Sequence, residues 1–159
     1  MLIIISFSMP IKTIRIWIYA LLKYREHIVV IKKWRGPFTW LYDLPGGKIE
    51  HGENHIMALK REIVEEVWIN ESDFVINALL SVEDDFIQHI WEWEEKNEHI
   101  IAIVYEVNII SDSIDLNYME AWWDANGLML MSIDDKETPK TNILGKVLGE
   151  KQESSRKKQ

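Results

Sequence analysis

The chain has 159 residues, a formal net charge of −8 and no cysteine. This length suits one compact domain, which commonly has roughly 100 to 200 residues, and an apolar share of 47% with eight tryptophans supplies a buried core. The acidic balance argues against binding along a nucleic-acid polymer, because that requires clustered Lys and Arg. Without cysteine there are no disulfides, thiolate nucleophiles or cysteine-based metal sites, which fits a cytoplasmic protein.

The chain begins with a short apolar run that Pro10 closes. The run is too short for a membrane span and has no basic residue before it, unlike a signal peptide. We therefore expect no membrane association, and we predict that residues 1–10 form an edge strand or a loose N-terminal extension of a single domain spanning 1–159. The charged segment 151–159 is predicted to be a disordered tail.

The first regular elements are two predicted strands. Residues 14–22 and 27–31 are rich in β-branched and aromatic side chains, and the polar stretch between them predicts a hairpin. Residues 35–52 contain four glycines and two prolines, which indicates a structured loop.

A helix is predicted from about Asn54, because apolar residues recur every three or four positions. This stripe consists of Ile56, Leu59, Ile63 and Val67, and it should face a sheet.

The second half of the chain contains further predicted strands and long polar connections. Segments 75–82, 99–107 and 128–133 are predicted to be strands, the middle one in a central position because it is almost wholly apolar. The remaining predictions are an acidic loop over 83–98, a polar connection over 111–126 and a terminal helix over 142–150. This order predicts an α/β fold, with a mixed β-sheet flanked by helices.

One segment carries a long motif, which starts at a Pro-Gly-Gly turn and runs into the predicted helix. It resembles the Nudix box: a glycine, five residues, a glutamate, seven residues, Arg-Glu, an aliphatic residue, any residue, Glu-Glu, any residue, a glycine and an aliphatic residue. Eight of the nine constrained positions match, at Gly47, Glu53, Arg61, Glu62, Ile63, Glu65, Glu66 and Ile69. The resemblance implies an α/β/α sandwich fold.

The glutamates of this motif predict a cation site. Glu62, Glu65 and Glu66 stand at i, i+3 and i+4, so a helix places them on one face, away from the apolar stripe. Close carboxylates repel one another unless a cation or a base neutralises them, and their hard oxygens suit Mg²⁺ or Mn²⁺. The turn at Gly46 can bring a backbone carbonyl to the same ion as a further ligand. A solvated helix face is the ordinary alternative for such a charge run.

The resemblance implies an enzyme in which water attacks a phosphorus of a nucleoside diphosphate linked to another group. Glu65 and Glu66 would then be the principal metal ligands, Glu62 a ligand or general base, and Arg61 an orienting ion-pair partner of Glu53. The implied partner is a small nucleotide-derived substrate, and a homodimer is compatible with the sequence. A catalytically silent Nudix-fold module that binds a nucleotide or a protein is the alternative.

Family members often place one more essential carboxylate outside the box. Glu120 is the preferred residue for this role here, ahead of Glu95 and Glu98.

Several tryptophans on predicted loops are placed to stack on a nucleobase or to pack in the core; these are Trp34, Trp40, Trp91, Trp93, Trp122 and Trp123. His51 and His55 are interpreted as surface residues.

The motif departs from the family pattern at Trp68, where the family has glycine. A left-handed backbone at this position would cost a tryptophan about 1 to 2 kcal/mol. We therefore predict that the helix continues slightly further and ends near Asn70, which tolerates left-handed geometry. Retained activity is expected, because no ligand is lost.

Overall fold

The computed structural model of the protein describes residues 11–91, 94–111 and 127–150, leaving aside the side chain of Trp91. The predicted N-terminal extension, the predicted tail and most of the predicted connection over 111–126 lie outside these ranges. The described elements are β1 (Ile11–Tyr24), β2 (His27–Lys32), β3 (Tyr42–Asp43), β4 (Gly46–Lys48), α1 (His55–Val67), a 3₁₀ turn (Glu71–Asp73), β5 (Phe74–Trp91), β6 (Glu94–Ile109), β7 (Leu128–Ser132) and α2 (Asn142–Val147).

The strands form one mixed sheet in the order β3-β2-β1-β6-β5, with β4 paired to β1 and β7 paired to β2. β1 and β6 run parallel over a long register that includes Tyr19 opposite Val104, whereas the other ladders are antiparallel. β6 therefore lies between β1 and β5, and the predicted central position of segment 99–107 is confirmed.

The two helices lie on opposite faces of the sheet. Leu59, Ile63 and Val67 of α1 pack into a core with Ile18 of β1, while Leu144 of α2 packs into a second core with residues of the opposite face. Alternate side chains of β1 supply the two cores, because successive residues of a strand point to opposite faces. This arrangement confirms the predicted α/β/α sandwich, in which a mixed β-sheet is flanked by helices.

The predicted acidic loop over 83–98 is wrong. β5 continues to Trp91 and β6 begins at Glu94, so this segment forms a long antiparallel hairpin. Cross-strand pairing accommodates its charges, since the Nε2 atom of His99 lies 2.6 Å from an Asp84 oxygen and that of His89 lies 3.0 Å from a Glu98 oxygen. Such pairs stabilise a sheet and override the preference of acidic residues for loops.

Both helices begin with a side-chain cap. The Asn54 side chain accepts hydrogen bonds from the backbone N–H groups of Ile56 and Met57, at 3.0 and 2.9 Å, which satisfies two of the free donors of the first turn. Thr141 caps α2, which ends at Val147 and is shorter than the predicted 142–150. None of the helices in the described ranges is long and apolar enough to cross a membrane.

The predicted end of α1 near Asn70 is also wrong. The helix ends at Val67, and Trp68 itself adopts the left-handed conformation, with φ 63° and ψ 35°. Val67 and Ile69 are both buried in the core beneath α1, and two residues this close cannot both face the core from one straight helix. The chain therefore turns at Trp68, and Asn70 opens the 3₁₀ turn that follows.

Candidate active site

The glycine turn packs directly against the carboxylates of α1. Gly46 has φ +148°, and a Cβ atom there would overlap the backbone of Ile18, so glycine is required. The Gly46 N–H donates a hydrogen bond of 2.8 Å to Glu66 Oε2. A Cβ atom on Gly47 would lie 2.7 Å from Glu62 Oε1. Both glycines thus permit a close approach between β4 and the helix.

Arg61 is the centre of an ion-pair network. It donates two hydrogen bonds to Glu53, at 3.1 and 2.7 Å, so the predicted pair is present. It also donates to Glu62 at 2.8 Å and to Glu65 at 3.3 Å. These contacts raise the pKa of Arg61 above its usual value, with Glu53 the largest cause, and the Arg61 hydrogen bond lowers the pKa of Glu53. The network fixes the side chains next to the glycine turn.

The three glutamates of α1 have different environments. The side chain of Glu65 is 59% exposed, whereas that of Glu62 is 12% exposed. Burial raises the pKa of Glu66 to about 7, although the charge of Lys33 opposes this shift. Glu66 therefore lies at the buried edge of the predicted carboxylate face. Burial destabilises its deprotonated form unless a positive charge lies nearby.

The donor set fits Mg²⁺ or Mn²⁺ in its chemistry, because hard carboxylate oxygens lie on one helix face beside a turn without Cβ atoms. Within the described ranges, however, no three Asp, Glu or His side chains converge on a point that could hold an ion. Glu62 and Glu65 are bonded to Arg61 instead, and Glu66 is bonded to the Gly46 N–H. The metal-ligand role therefore stays a prediction for Gly46, Glu62, Glu65 and Glu66.

A second buried acidic group lies behind the glycine turn. Asp43 is 1% exposed and accepts hydrogen bonds from the Leu44 N–H at 2.9 Å and the Thr141 hydroxyl at 2.7 Å. Burial raises its pKa, and the charge of Lys33 opposes this effect. Burial and then the charge of Asp43 also raise the pKa of Tyr19. Asp43 was not predicted, because its only signal in the sequence is its position within an apolar segment.

A cleft of about 460 Å³ opens on the α2 side of the sheet. Trp17, Ile87 and Ile100 contribute its apolar lining, and the loop that follows β2 contributes Lys33 and Phe38. The ring of Trp17 in the cleft lies 6.0 Å from that of Tyr19, which pairs with Gly46, and the Gly46 N–H donates to Glu66. The cleft therefore adjoins this carboxylate of α1. A ligand could therefore occupy the cleft and reach the glycine turn.

Comparison with protein families shows that residues 13–139 match the NUDIX domain model. The chain belongs to the Nudix family. Membership identifies it as a hydrolase of this family. A comparison with curated protein sequences finds no match.

Solved Nudix structures share the fold of this chain. A MutT Nudix hydrolase from Burkholderia pseudomallei has a TM-score of 0.59 at 24% identity, and the match covers 88% of this chain and 99% of that one. A MutT protein from Methanosarcina mazei Go1 has a TM-score of 0.57 at 19% identity, over 87% and 92% of the two chains. An ADP-ribose pyrophosphatase from Streptococcus suis 89-1591 has a TM-score of 0.52 at 11% identity, over 86% and 85%.

The residues proposed for the extra carboxylate of this Nudix domain fall in different places. Glu120 lies outside the described residues. Glu95 is exposed on β6, whereas Glu98 lines the cleft, with a side chain that is only 10% exposed. Asp85, which the sequence analysis did not consider, is buried and accepts a hydrogen bond of 3.0 Å from the Asn142 side chain. Of the two predicted residues that the structure describes, Glu98 lines the cleft and Glu95 does not.

The aromatic residues of this Nudix domain are also distributed differently from the prediction. Trp34 and Trp40 are exposed and make an edge-to-face contact with each other, and neither lines the cleft. Trp17, which reads from sequence as an ordinary strand residue, does line it. For Trp93, Trp122, Trp123 and the side chain of Trp91, the alternatives of stacking on a base and packing concern parts of the chain outside the described residues. His51 and His55 are exposed, as expected.

Proposed function

We propose that this Nudix domain is a pyrophosphohydrolase that cleaves a nucleoside diphosphate linked to another group, with Mg²⁺ or Mn²⁺ as cofactor. One observation carries the proposal: the glycine turn closes against α1 so that Glu62 and Glu66 contact it directly. A turn that excludes a side chain at Gly46 and brings Gly47 against the Glu62 carboxylate has a clear use when the turn and the glutamates bind one ion. Cytoplasmic nucleotide derivatives are the substrates that we expect.

Glu65 and Glu66 are the proposed principal ligands, joined by Glu62 and the Gly46 carbonyl. When bound, the ion would polarise phosphoryl oxygens and lower the pKa of the attacking water. Glu62 would act as ligand or general base. Arg61 is a positioning residue, because it contacts both Glu62 and Glu65 and is itself held by Glu53.

The burial of Glu66 supports this division of roles. A carboxylate whose pKa is raised by desolvation is stabilised in its charged form when a divalent cation lies beside it. Lys33 supplies part of that compensation already, and its position at the cleft would also attract an anionic substrate. The overall charge of −8 would otherwise repel such a substrate.

The test is a turnover assay with nucleoside triphosphates, nucleotide sugars, ADP-ribose and dinucleoside polyphosphates, with Mg²⁺ or Mn²⁺. We expect turnover of at least one substrate, loss of that turnover in Glu66→Gln, and retention in Glu26→Gln, which changes an exposed glutamate in the β1–β2 turn. Circular dichroism would confirm that both variants fold. Absence of turnover for every substrate, with Glu66→Gln indistinguishable from the parent, would contradict the proposal.

A catalytically silent nucleotide-binding module is the second candidate. The ion pairs from Arg61 to Glu62 and Glu65 favour it, because they occupy two of the proposed ligands. This candidate predicts binding of a nucleotide without hydrolysis, measured by calorimetry, and binding that Glu66→Gln leaves unchanged. Detection of metal-dependent turnover would exclude it.

A further inference from the structure

The cleft contains a local excess of positive charge. Arg15, Lys33, Arg35 and Lys96 line it, and Glu98 is the only carboxylate among the described residues that do so. In a chain with a net charge of −8, this concentration of cations marks a place where anionic groups are attracted.

Three of these four cations make no direct ion pair with a described carboxylate. Lys33, Arg35 and Lys96 make no salt bridge with any residue in the described ranges. Arg15 lies 2.5 Å from Glu98, at an angle outside hydrogen-bond geometry. The charges of Arg35 and Lys96 are therefore available to a ligand, whereas Arg15 is paired with Glu98 and the charge of Lys33 already acts on Asp43 and Glu66.

The cleft also contains an unused hydrogen-bond donor. The Trp17 indole Nε1 is buried and has no acceptor among the described residues, although a buried donor without a partner is costly. An acceptor on a bound ligand would satisfy it. The apolar surfaces of Trp17 and Phe38 beside it suit the ring of a sugar or base.

Two of the cations, Lys33 and Arg15, lie at different distances from the glycine turn. Lys33 lies at the near end, because it follows Lys32, which pairs with Tyr42 beside the buried Asp43. Arg15 lies further along β1, four residues before Tyr19, which pairs with Gly46. At about 3.3 Å per strand residue, this separation is roughly 13 Å, which leaves room for a sugar or a nucleoside between two anionic groups.

We propose that the cleft binds a second phosphate of the substrate, carried beyond the scissile diphosphate. The inference rests on the proposed function and narrows its substrate class to nucleotide derivatives with an additional phosphate, such as one on a ribose hydroxyl. Lys33 lies nearest the scissile diphosphate, while Arg15, Arg35 and Lys96 hold the second phosphate. Glu98 positions Arg15 and also accepts a hydrogen bond from the His89 ring.

Matched substrate pairs that differ by one phosphate provide the test. We would measure kcat/KM for ADP-ribose against 2′-phospho-ADP-ribose, and for NADH against NADPH. The wild-type protein should prefer the phosphorylated member by about tenfold or more, as expected for at least one charge-assisted hydrogen bond. The preference should fall toward one in Arg35→Gln combined with Lys96→Gln, and it should weaken at high salt.

Lys136→Gln is the matched control, because it removes an exposed lysine that lies outside the cleft, and it should leave the preference unchanged. Turnover of both members without a preference, or a preference that the double variant retains, would overturn the inference while the proposed function stands. If no member is hydrolysed, calorimetric binding of the same pairs decides the inference separately. Equal affinities would then overturn it, and tighter binding of the phosphorylated member would support it.

Discussion

The left-handed cap of α1 provides a direct test of the backbone geometry beside the proposed ligands. Trp68 has φ 63° and ψ 35°, and its side chain is 67% exposed. This conformation costs a residue with a Cβ atom about 1 to 2 kcal/mol relative to glycine. We compare Trp68→Gly with Trp68→Ala, because both remove the same indole and only the glycine variant removes the backbone strain.

The expected difference follows from two opposing effects. Glycine avoids the left-handed penalty, but its greater freedom in the unfolded chain costs about 0.4 to 1 kcal/mol relative to alanine. Trp68→Gly should therefore be more stable than Trp68→Ala by about 1 kcal/mol in free energy of unfolding. In a chain of this size the difference corresponds to roughly 2 to 4 °C in Tm.

Urea denaturation at 25 °C measures this difference, with equal m-values as the check that both variants unfold alike. Trp68→Asn should fall between the two, because asparagine tolerates the left-handed region. Metal-dependent turnover of Trp68→Gly should match the parent in order of magnitude, since no ligand changes. An alanine variant as stable as the glycine variant would refute the reasoning, and a large gain in turnover would show that the wild-type site is impaired.

Three further predictions concern the packing of the site. Gly47→Ala should lower metal-dependent turnover in assays of initial rate, because the added Cβ would lie 2.7 Å from Glu62 Oε1 and displace that carboxylate. Burial raises the pKa of Glu66 from 4.5 to about 7, so the folded state binds this proton more tightly than the unfolded chain. The metal-free protein should therefore lose roughly 3 kcal/mol of stability relative to Glu66→Gln as the pH rises from about 4.5 to above 7. Urea unfolding of both proteins at each pH measures this loss, and a stability difference between them that does not change with pH would contradict it. Thr141→Val should cost about 1 to 3 kcal/mol in urea unfolding, because it removes the donor to buried Asp43 and the cap of α2; an unchanged midpoint would refute it.

The features predictable from sequence are those that depend on residues close together in the chain. The carboxylate helix and its buried stripe follow from spacing within one segment, and the hairpin of β1 and β2 follows from strand propensity beside a polar turn. Local patterns of this kind predict elements well, because the contacts that they describe are largely local.

The cleft depends on distant segments and was not predictable. Arg15, Lys33 and Lys96 belong to three different parts of the chain, which only the sheet brings together. The acidic hairpin was missed for the same reason, since its charges are compensated across strands. Tryptophan disfavours the left-handed conformation, but the burial of Ile69 outweighs this preference at Trp68. The residues around Trp68 do not reveal that burial from sequence.

The parallel pairing of β1 with β6 also has a consequence for how the protein folds. Tyr19 pairs with Val104, so the sheet is complete only when β1 pairs with β6, which is distant in sequence. Pairing between such distant segments slows folding. Helix α1, which carries the proposed ligands, lies in the segment between these two strands. During synthesis its glutamates emerge well before β6 exists. We therefore expect hydrolytic activity to be recovered only in the slowest phase of refolding, after much of the helical signal has returned.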